Sequence, residues 1–127
     1  MANELLSKTK IVYIDDTPTI RSIVDSVLSA CGFYVVCTES KERVIQEAAR
    51  DTRLVIVDMI WPAMENMELC MDLMRSGYTG KVLIVSTRNL PVDEWDVFDG
   101  LGYKLMMKPF GPRELLRNVQ AVLVESE

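Results

Sequence analysis

The sequence predicts an α/β domain built on a doubly wound, parallel five-stranded sheet, and three observations carry that prediction. Short apolar runs, four of them containing Val or Ile, alternate five times with stretches whose apolar residues recur at helical spacing. The central runs are apolar throughout instead of alternating with polar residues, the mark of strands covered on both faces by helices. No repeat, linker or low-complexity segment interrupts the (βα) alternation, and right-handed crossovers leave few ways to wind it.

In chain order, residues 1–9 read as a short polar extension, 10–124 as the domain and 125–127 as a tail. The first strand spans 10–15, after which Thr17 is placed as N-cap and Pro18 as the first residue of a helix. Ile20, Ile23, Val24, Val27, Leu28 and Cys31 form that helix's apolar stripe, and Gly32 stands where a helix stops. Phe33 to Thr38 is the second strand. Ser40 caps a second helix carrying Val44, Ile45, Ala48 and Ala49, with Arg43 where a capping box would have Glu, and Asp51-Thr52 breaks it. The third strand, 53–57, delivers Asp58. Residues 59–64 read as a loop, since Pro62 disfavours helix at Trp61. A third helix, 65–76, follows with Met67, Cys70, Met71 and Met74 at helical spacing, the methionines read as core filler. Gly77 and Gly80 lead into strand four, 81–85. Asn89-Leu90-Pro91 opens a fourth helix with Asp93 and Glu94 near its positive end and Val92, Trp95, Phe98 and Leu101 on one face. Strand five is 103–107, and Gly111-Pro112 opens a last helix that buries Leu115, Leu116, Val119, Val122 and Leu123.

Composition narrows the function classes. Fourteen basic against nineteen acidic residues leave a net charge of -5, which weighs against nonspecific nucleic-acid binding, because that needs Lys and Arg to displace counterions. No apolar stretch approaches the roughly 18 residues of a membrane span, and no signal-peptide h-region opens the chain, so a cytoplasmic location is expected. Cys31, Cys37 and Cys70 have no metal-ligand spacing and read as buried, reduced thiols. The absence of histidine excludes a His-based triad, a His zinc ligand and a phosphohistidine carried by this chain.

Polar residues of a particular kind terminate the strands: Asp15 and Asp16 after the first, Asp58 after the third, Ser86 after the fourth and Lys108 after the fifth. In doubly wound sheets the site lies outside the carboxyl ends of the strands, where the winding reverses. Adjacent carboxylates repel unless a cation joins them, and oxygen-only ligands suit a hard cation, Mg²⁺ in particular when phosphate oxygens complete the shell. A carboxylate is also a nucleophile able to form an acyl phosphate. Lys108 is a compact charge and Ser86 a hydroxyl donor for phosphoryl oxygens.

Ile11-Val12-Tyr13-Ile14-Asp15-Asp16, Leu54-Val55-Ile56-Val57-Asp58 with Pro62 four residues on, Val85-Ser86 and Lys108-Pro109-Phe110 together resemble the receiver domain of two-component response regulators, over essentially the whole chain. The resemblance implies a flavodoxin-like sheet of order 2-1-3-4-5. It implies Asp58 as phosphoacceptor, Mg²⁺ held by Asp15, Asp16, Asp58 and the Ile60 backbone carbonyl, Ser86 and Lys108 sensing the phosphoryl oxygens, and a cis Lys108-Pro109 peptide. It further implies a histidine kinase or phosphotransfer protein as donor and no enzymatic activity beyond slow autodephosphorylation. After Val124 only Glu125-Ser126-Glu127 remain, so output is expected through contact with a protein partner, or the chain is part of a longer regulator.

The sequence departs from the family pattern at Leu105, where receivers commonly carry Tyr or Phe. The aromatic ring is thought to turn inward on phosphorylation, and Tyr103, on the same strand face, is the candidate substitute. Thr87 narrows access to the site, and Ile60 cannot orient a water by hydrogen bonding, so slow loss of the phosphoryl group is expected. Asn66 stands where the family often has glycine. Trp61 reads equally as loop aromatic or partner contact, while Trp95 is expected to pack under its helix. Leu105 also motivates an alternative, a phosphorylation-independent pseudo-receiver acting as an interaction module. A haloacid-dehalogenase-type phosphatase needs an acid two residues beyond its Asp nucleophile, but Ile60, Thr17 and Pro18 occupy those positions. A flavodoxin-like cofactor binder lacks its phosphate loop after strand one.

Overall fold

The computed structural model describes residues 9–58, 63–86, 96, 98–100, 102–107 and 110–124. Strands β1 (Lys10–Ile14), β2 (Tyr34–Thr38), β3 (Thr52–Asp58), β4 (Lys81–Ser86) and β5 (Lys104–Met107) form one parallel sheet in the order β2-β1-β3-β4-β5. Helices α1 (Pro18–Ala30), α2 (Lys41–Ala48) and α3 (Ala63–Arg75) precede a fourth, α4, of which residues 96 and 98–100 are described, and α5 (Pro112–Val124) closes the domain. The expected flavodoxin-like (βα)5 architecture is the observed one. The winding reverses between the neighbouring strands β1 and β3. Their carboxyl ends therefore open side by side at the edge where the helices of the two layers part.

Period-two alternation splits the sheet's side chains into two cores. On one face Ile11, Tyr13, Leu54, Ile56, Leu83 and Val85 pack with Val24 and Leu28 of α1 and Leu115, Val119, Val122 and Leu123 of α5. On the other, Val12, Ile14, Val55, Val57, Val82 and Ile84 pack with Val44 and Ala48 of α2, Leu69, Cys70 and Leu73 of α3, and Phe98. Each fully buried aliphatic side chain contributes about 1.5–3 kcal/mol relative to exposure, so this two-sided burial is what holds the strand ends in place.

Left-handed turns occupy the amino edge of the sheet. Gly32 (φ 92°) closes α1 with N–H bonds from Gly32 to the Ser29 carbonyl and from Phe33 to the Leu28 carbonyl, the two bonds of a Schellman cap. Gly77 (φ 88°) repeats this after α3, through Met74 and Leu73. Asp51 turns with φ 53° between α2 and β3. Lys10 is anchored at the same edge. Its ammonium donates to the Glu47 carboxylate at 2.7 Å and to the carbonyls of Glu47 and Arg50 at 3.0 and 3.1 Å, matching three donors to three acceptors. Thr9 is buried, and its carbonyl accepts the Tyr34 N–H.

Several local expectations are corrected. Met71 and Met74 are not core filler: they are 37% and 48% exposed, because α3 turns Leu69, Cys70 and Leu73 inward and each of these methionines follows an inward residue by about 100° of helix. That helix starts at Ala63, two residues before the expected start. Of the cysteines only Cys70 is buried. Cys37 is half-buried, and Cys31 is exposed at the α1 C-cap, where the chain turns away through Gly32. Ile23 likewise lies off the α1 stripe. Thr17 holds the N-cap position but makes no side-chain cap bond; its hydroxyl donates to Asp16 instead. Ser40 does cap α2, accepting the Arg43 N–H at 3.2 Å. Trp61, Trp95 and the Asn89-Leu90-Pro91 helix start lie outside the described residues.

Candidate functional site

Asp15 follows the last residue of β1, and Asp58 is the last residue of β3. Both carboxylates are buried, at 0% and 1% exposure. Asp15 is held at four points. Its N–H donates to the Thr38 carbonyl at 3.1 Å, prolonging the β1–β2 ladder. Its own carbonyl accepts from the Arg21 guanidinium at 2.7 Å. Carboxylate Oδ1 accepts the Thr17 N–H at 3.1 Å, and Oδ2 accepts the Tyr13 hydroxyl at 2.8 Å. The turn from β1 into α1 is thus tied to the carboxylate itself.

Tyr13 is the residue that the sequence reading missed. It sits in an apolar run on β1, and its ring is buried in the α1/α5-side core. Two positions before Asp15, it projects from the same strand face, and its hydroxyl lies 2.8 Å from Asp15 Oδ2 and 3.4 Å from Asp58 Oδ2. That period-two spacing was the available signal. Burial, followed by the hydrogen bond and charge of Asp15 and then the Asp58 carboxylate, raises the phenol far above its ordinary value. The hydroxyl therefore stays protonated and acts as a donor.

The structure brings Asp15 and Asp58 together around this one hydroxyl. Ser86 is buried at the end of β4, one residue past Val85, which is in register with Asp58. Asp16 is exposed, and its Oδ1 accepts from the Thr17 hydroxyl at 3.3 Å. Among the described residues no group of three or more His, Cys, Asp or Glu side chains is gathered to hold a metal ion. Ile60, Lys108, Pro109, Thr87 and Arg88 lie outside the described residues. The donor set still fits a hard cation, since Mg²⁺ binds through one or two carboxylates, waters and phosphate oxygens. Two buried like charges that share a hydroxyl leave it a reason to bind.

Leu105, in register with Ile84, packs against the α2/α3-side core. Tyr103 is already turned inward: it is buried, its ring stacks on Phe98 at a 6.2 Å centroid separation, and its hydroxyl lies 3.4 Å from the Cys70 carbonyl.

A doubly wound sheet with paired carboxylates at its switch point is the frame of an α/β domain whose ligand site lies outside the strand carboxyl ends. Within that class the chain matches the response regulator receiver domain over residues 11–120, and it belongs to that family, the receivers of two-component systems. Receiver domains take phosphate from histidine kinases, generally bind Mg²⁺ in an acidic pocket and are mainly phosphoacceptors. The chain is 27% identical over 122 residues to the alkaline phosphatase synthesis transcriptional regulatory protein PhoP of Bacillus subtilis, covering 93% of this chain and 50% of that protein. It is 28% identical over 129 residues to SphR of Synechococcus elongatus, covering 94% and 50%. The chain thus spans about half the length of these curated relatives. Vibrio cholerae chemotaxis protein CheY4 superposes with a TM-score of 0.77 at 25% identity, covering 90% of this chain and 98% of that one. A CheY-like receiver from Methanospirillum hungatei shares the fold at TM-score 0.80 and 22% identity, covering 92% and 94%. Among the described residues no helix is long and apolar enough to cross a membrane.

Proposed function

We propose that this receiver accepts a phosphoryl group on Asp58 from the phosphohistidine of a partner kinase or phosphotransfer protein and passes the signal on by protein contact. The observation that carries the reading is the convergence of the buried Asp15 and Asp58 carboxylates at the switch point of a receiver fold. These 127 residues contain no histidine, so the donor imidazole lies outside them. A carboxylate oxygen of Asp58 attacks phosphorus; the donor's P–N bond breaks, a P–O bond forms, and the imidazole leaves. Asp15, Asp16, Asp58 and the Ile60 carbonyl would hold Mg²⁺, which supplies charge neutralisation for the phosphoryl oxygens. Ser86 donates its hydroxyl to one phosphoryl oxygen, and Lys108 pairs with another. The burial of Ser86 beside the β3 end supports its part in this.

The test is incubation with a small acyl phosphate in the presence and absence of Mg²⁺, read by intact-protein and peptide mass spectrometry. A Mg²⁺-dependent gain of one phosphoryl group on Asp58, absent in Asp58→Ala, is the expected result. Equal uptake by both proteins, or none by either, favours the second reading, a phosphorylation-independent interaction module. That reading draws on Leu105, a half-buried aliphatic side chain packed against the α2/α3-side core where the family commonly has an aromatic ring.

A further inference from the structure

We propose that Tyr13 is a positioning residue for the acidic pair: its hydroxyl fixes the Asp15 carboxylate, and through it the approach of Asp58, in the arrangement that takes a divalent cation. The proposal rests on the phosphoacceptor reading above and adds to it a residue outside the acidic, hydroxyl and lysine set.

Three observations support it. Both oxygens of Asp15 are engaged, Oδ1 by the Thr17 N–H and Oδ2 by the Tyr13 hydroxyl. Rotation of the carboxylate would break one bond or the other, so the remaining lone pairs have fixed directions. The Tyr13 oxygen also stands 3.4 Å from Asp58 Oδ2, so one neutral donor lies between two like charges that a cation would join. Finally, the ring is fully buried in the cluster that includes Val24, Leu54, Ile56 and Leu83 and has no room to swing aside. Packing alone does not require this hydroxyl, because Ile11, the β1 residue two positions earlier on the same face, fills that core with an aliphatic side chain. Hydrogen-bond partners that orient metal-binding carboxylates typically change metal affinity about 10–100-fold when removed.

The experiment is calorimetric titration of Mg²⁺ into the metal-free wild type, Tyr13→Phe and Tyr78→Phe. Tyr78 is the control: its hydroxyl also makes a 2.8 Å bond, to the Lys81 carbonyl at the start of β4, the opposite edge of the sheet. Tyr13→Phe is expected to bind Mg²⁺ about 10–100-fold more weakly, and Tyr78→Phe to match wild type. In phosphorylation by a small acyl phosphate, the Mg²⁺ concentration for half-maximal rate shifts by the same factor, while the rate at saturating Mg²⁺ stays within about threefold, the signature of lost ground-state binding. As a readout on the intact hydroxyl, fluorotyrosine placed at position 13 gives a fluorine resonance that moves on Mg²⁺ addition. Unchanged Mg²⁺ affinity in Tyr13→Phe, an equal loss in Tyr78→Phe, or a fluorine resonance indifferent to Mg²⁺ overturns the role of Tyr13 and leaves the phosphoacceptor reading standing. A wild type that binds no Mg²⁺ overturns both.

Discussion

The repulsion between Asp15 and Asp58 is measurable without any phosphate. Their Oδ2 atoms lie 2.8 and 3.4 Å from a single hydroxyl oxygen, hence at most about 6 Å apart, where two unit charges repel by about 2.5–3 kcal/mol at an effective dielectric near 20. Both groups are buried, so solvent screening removes little of this. Asp15→Asn and Asp58→Asn each abolish the same repulsion, and the double substitution abolishes it only once. In urea unfolding with EDTA, the double variant is therefore expected to be about 2.5–3 kcal/mol less stable than the sum of the two single changes predicts. The cycle cancels what each carboxylate does separately, including the Arg21 guanidinium near Asp15. Asparagine at 15 keeps the network connected, since its amide oxygen accepts from Thr17 and its NH₂ donates to the Tyr13 oxygen. Saturating Mg²⁺ should shrink the coupling or reverse its sign. A coupling under about 0.5 kcal/mol, the ordinary scatter of independent sites, would refute the picture of two interacting anions.

Two further outcomes follow from the packing. Glu47 has its carboxyl lowered below the usual glutamate range, chiefly by the hydrogen bond from Lys10. Its contribution to stability is therefore complete above the unfolded value of about 4.3 and is lost as pH falls through the lower folded value. Glu47→Gln should cost about 1 kcal/mol at neutral pH and flatten acid unfolding curves across that window; an unchanged acid limb would contradict it. Leu73→Ala should cost about 2–5 kcal/mol as a cavity in the α3 side of the core, whereas Met74→Ala, one residue on and exposed, should stay within about 0.5 kcal/mol. Thermal or urea unfolding of the two separates the inward face of α3 from the outward one.

Strand positions were legible because run length and β-branched content report burial on both faces, and β1, β3 and β4 match the apolar runs to within a residue or two at each end. Helix faces were less so. In α3 the spacing of Met67, Met71 and Met74 satisfies a helical stripe as well as that of Leu69, Cys70 and Leu73, and periodicity alone cannot rank two adjacent stripes. The sheet decides, by burying Leu69, Cys70 and Leu73. At the site, the strand-terminal carboxylates were readable because an ionisable group after an apolar run stands out. Tyr13 was not, because within such a run a tyrosine reads as bulk. Its hydroxyl gains meaning only from the strand face it shares with Asp15. Asp16, adjacent to Asp15 in sequence, faces solvent, since neighbouring residues leaving a strand diverge.

The two rims of the sheet carry separate duties. One holds the acidic pair. The other holds Gly32, Asp51 and Gly77 in left-handed turns, together with the Lys10 anchor, and no residue of the first set belongs to the second. Splices, tags or thermostabilising changes placed among those connections would act on the scaffold a full strand length from the acidic pair, so folding robustness and the geometry of that pair are open to independent adjustment in this domain.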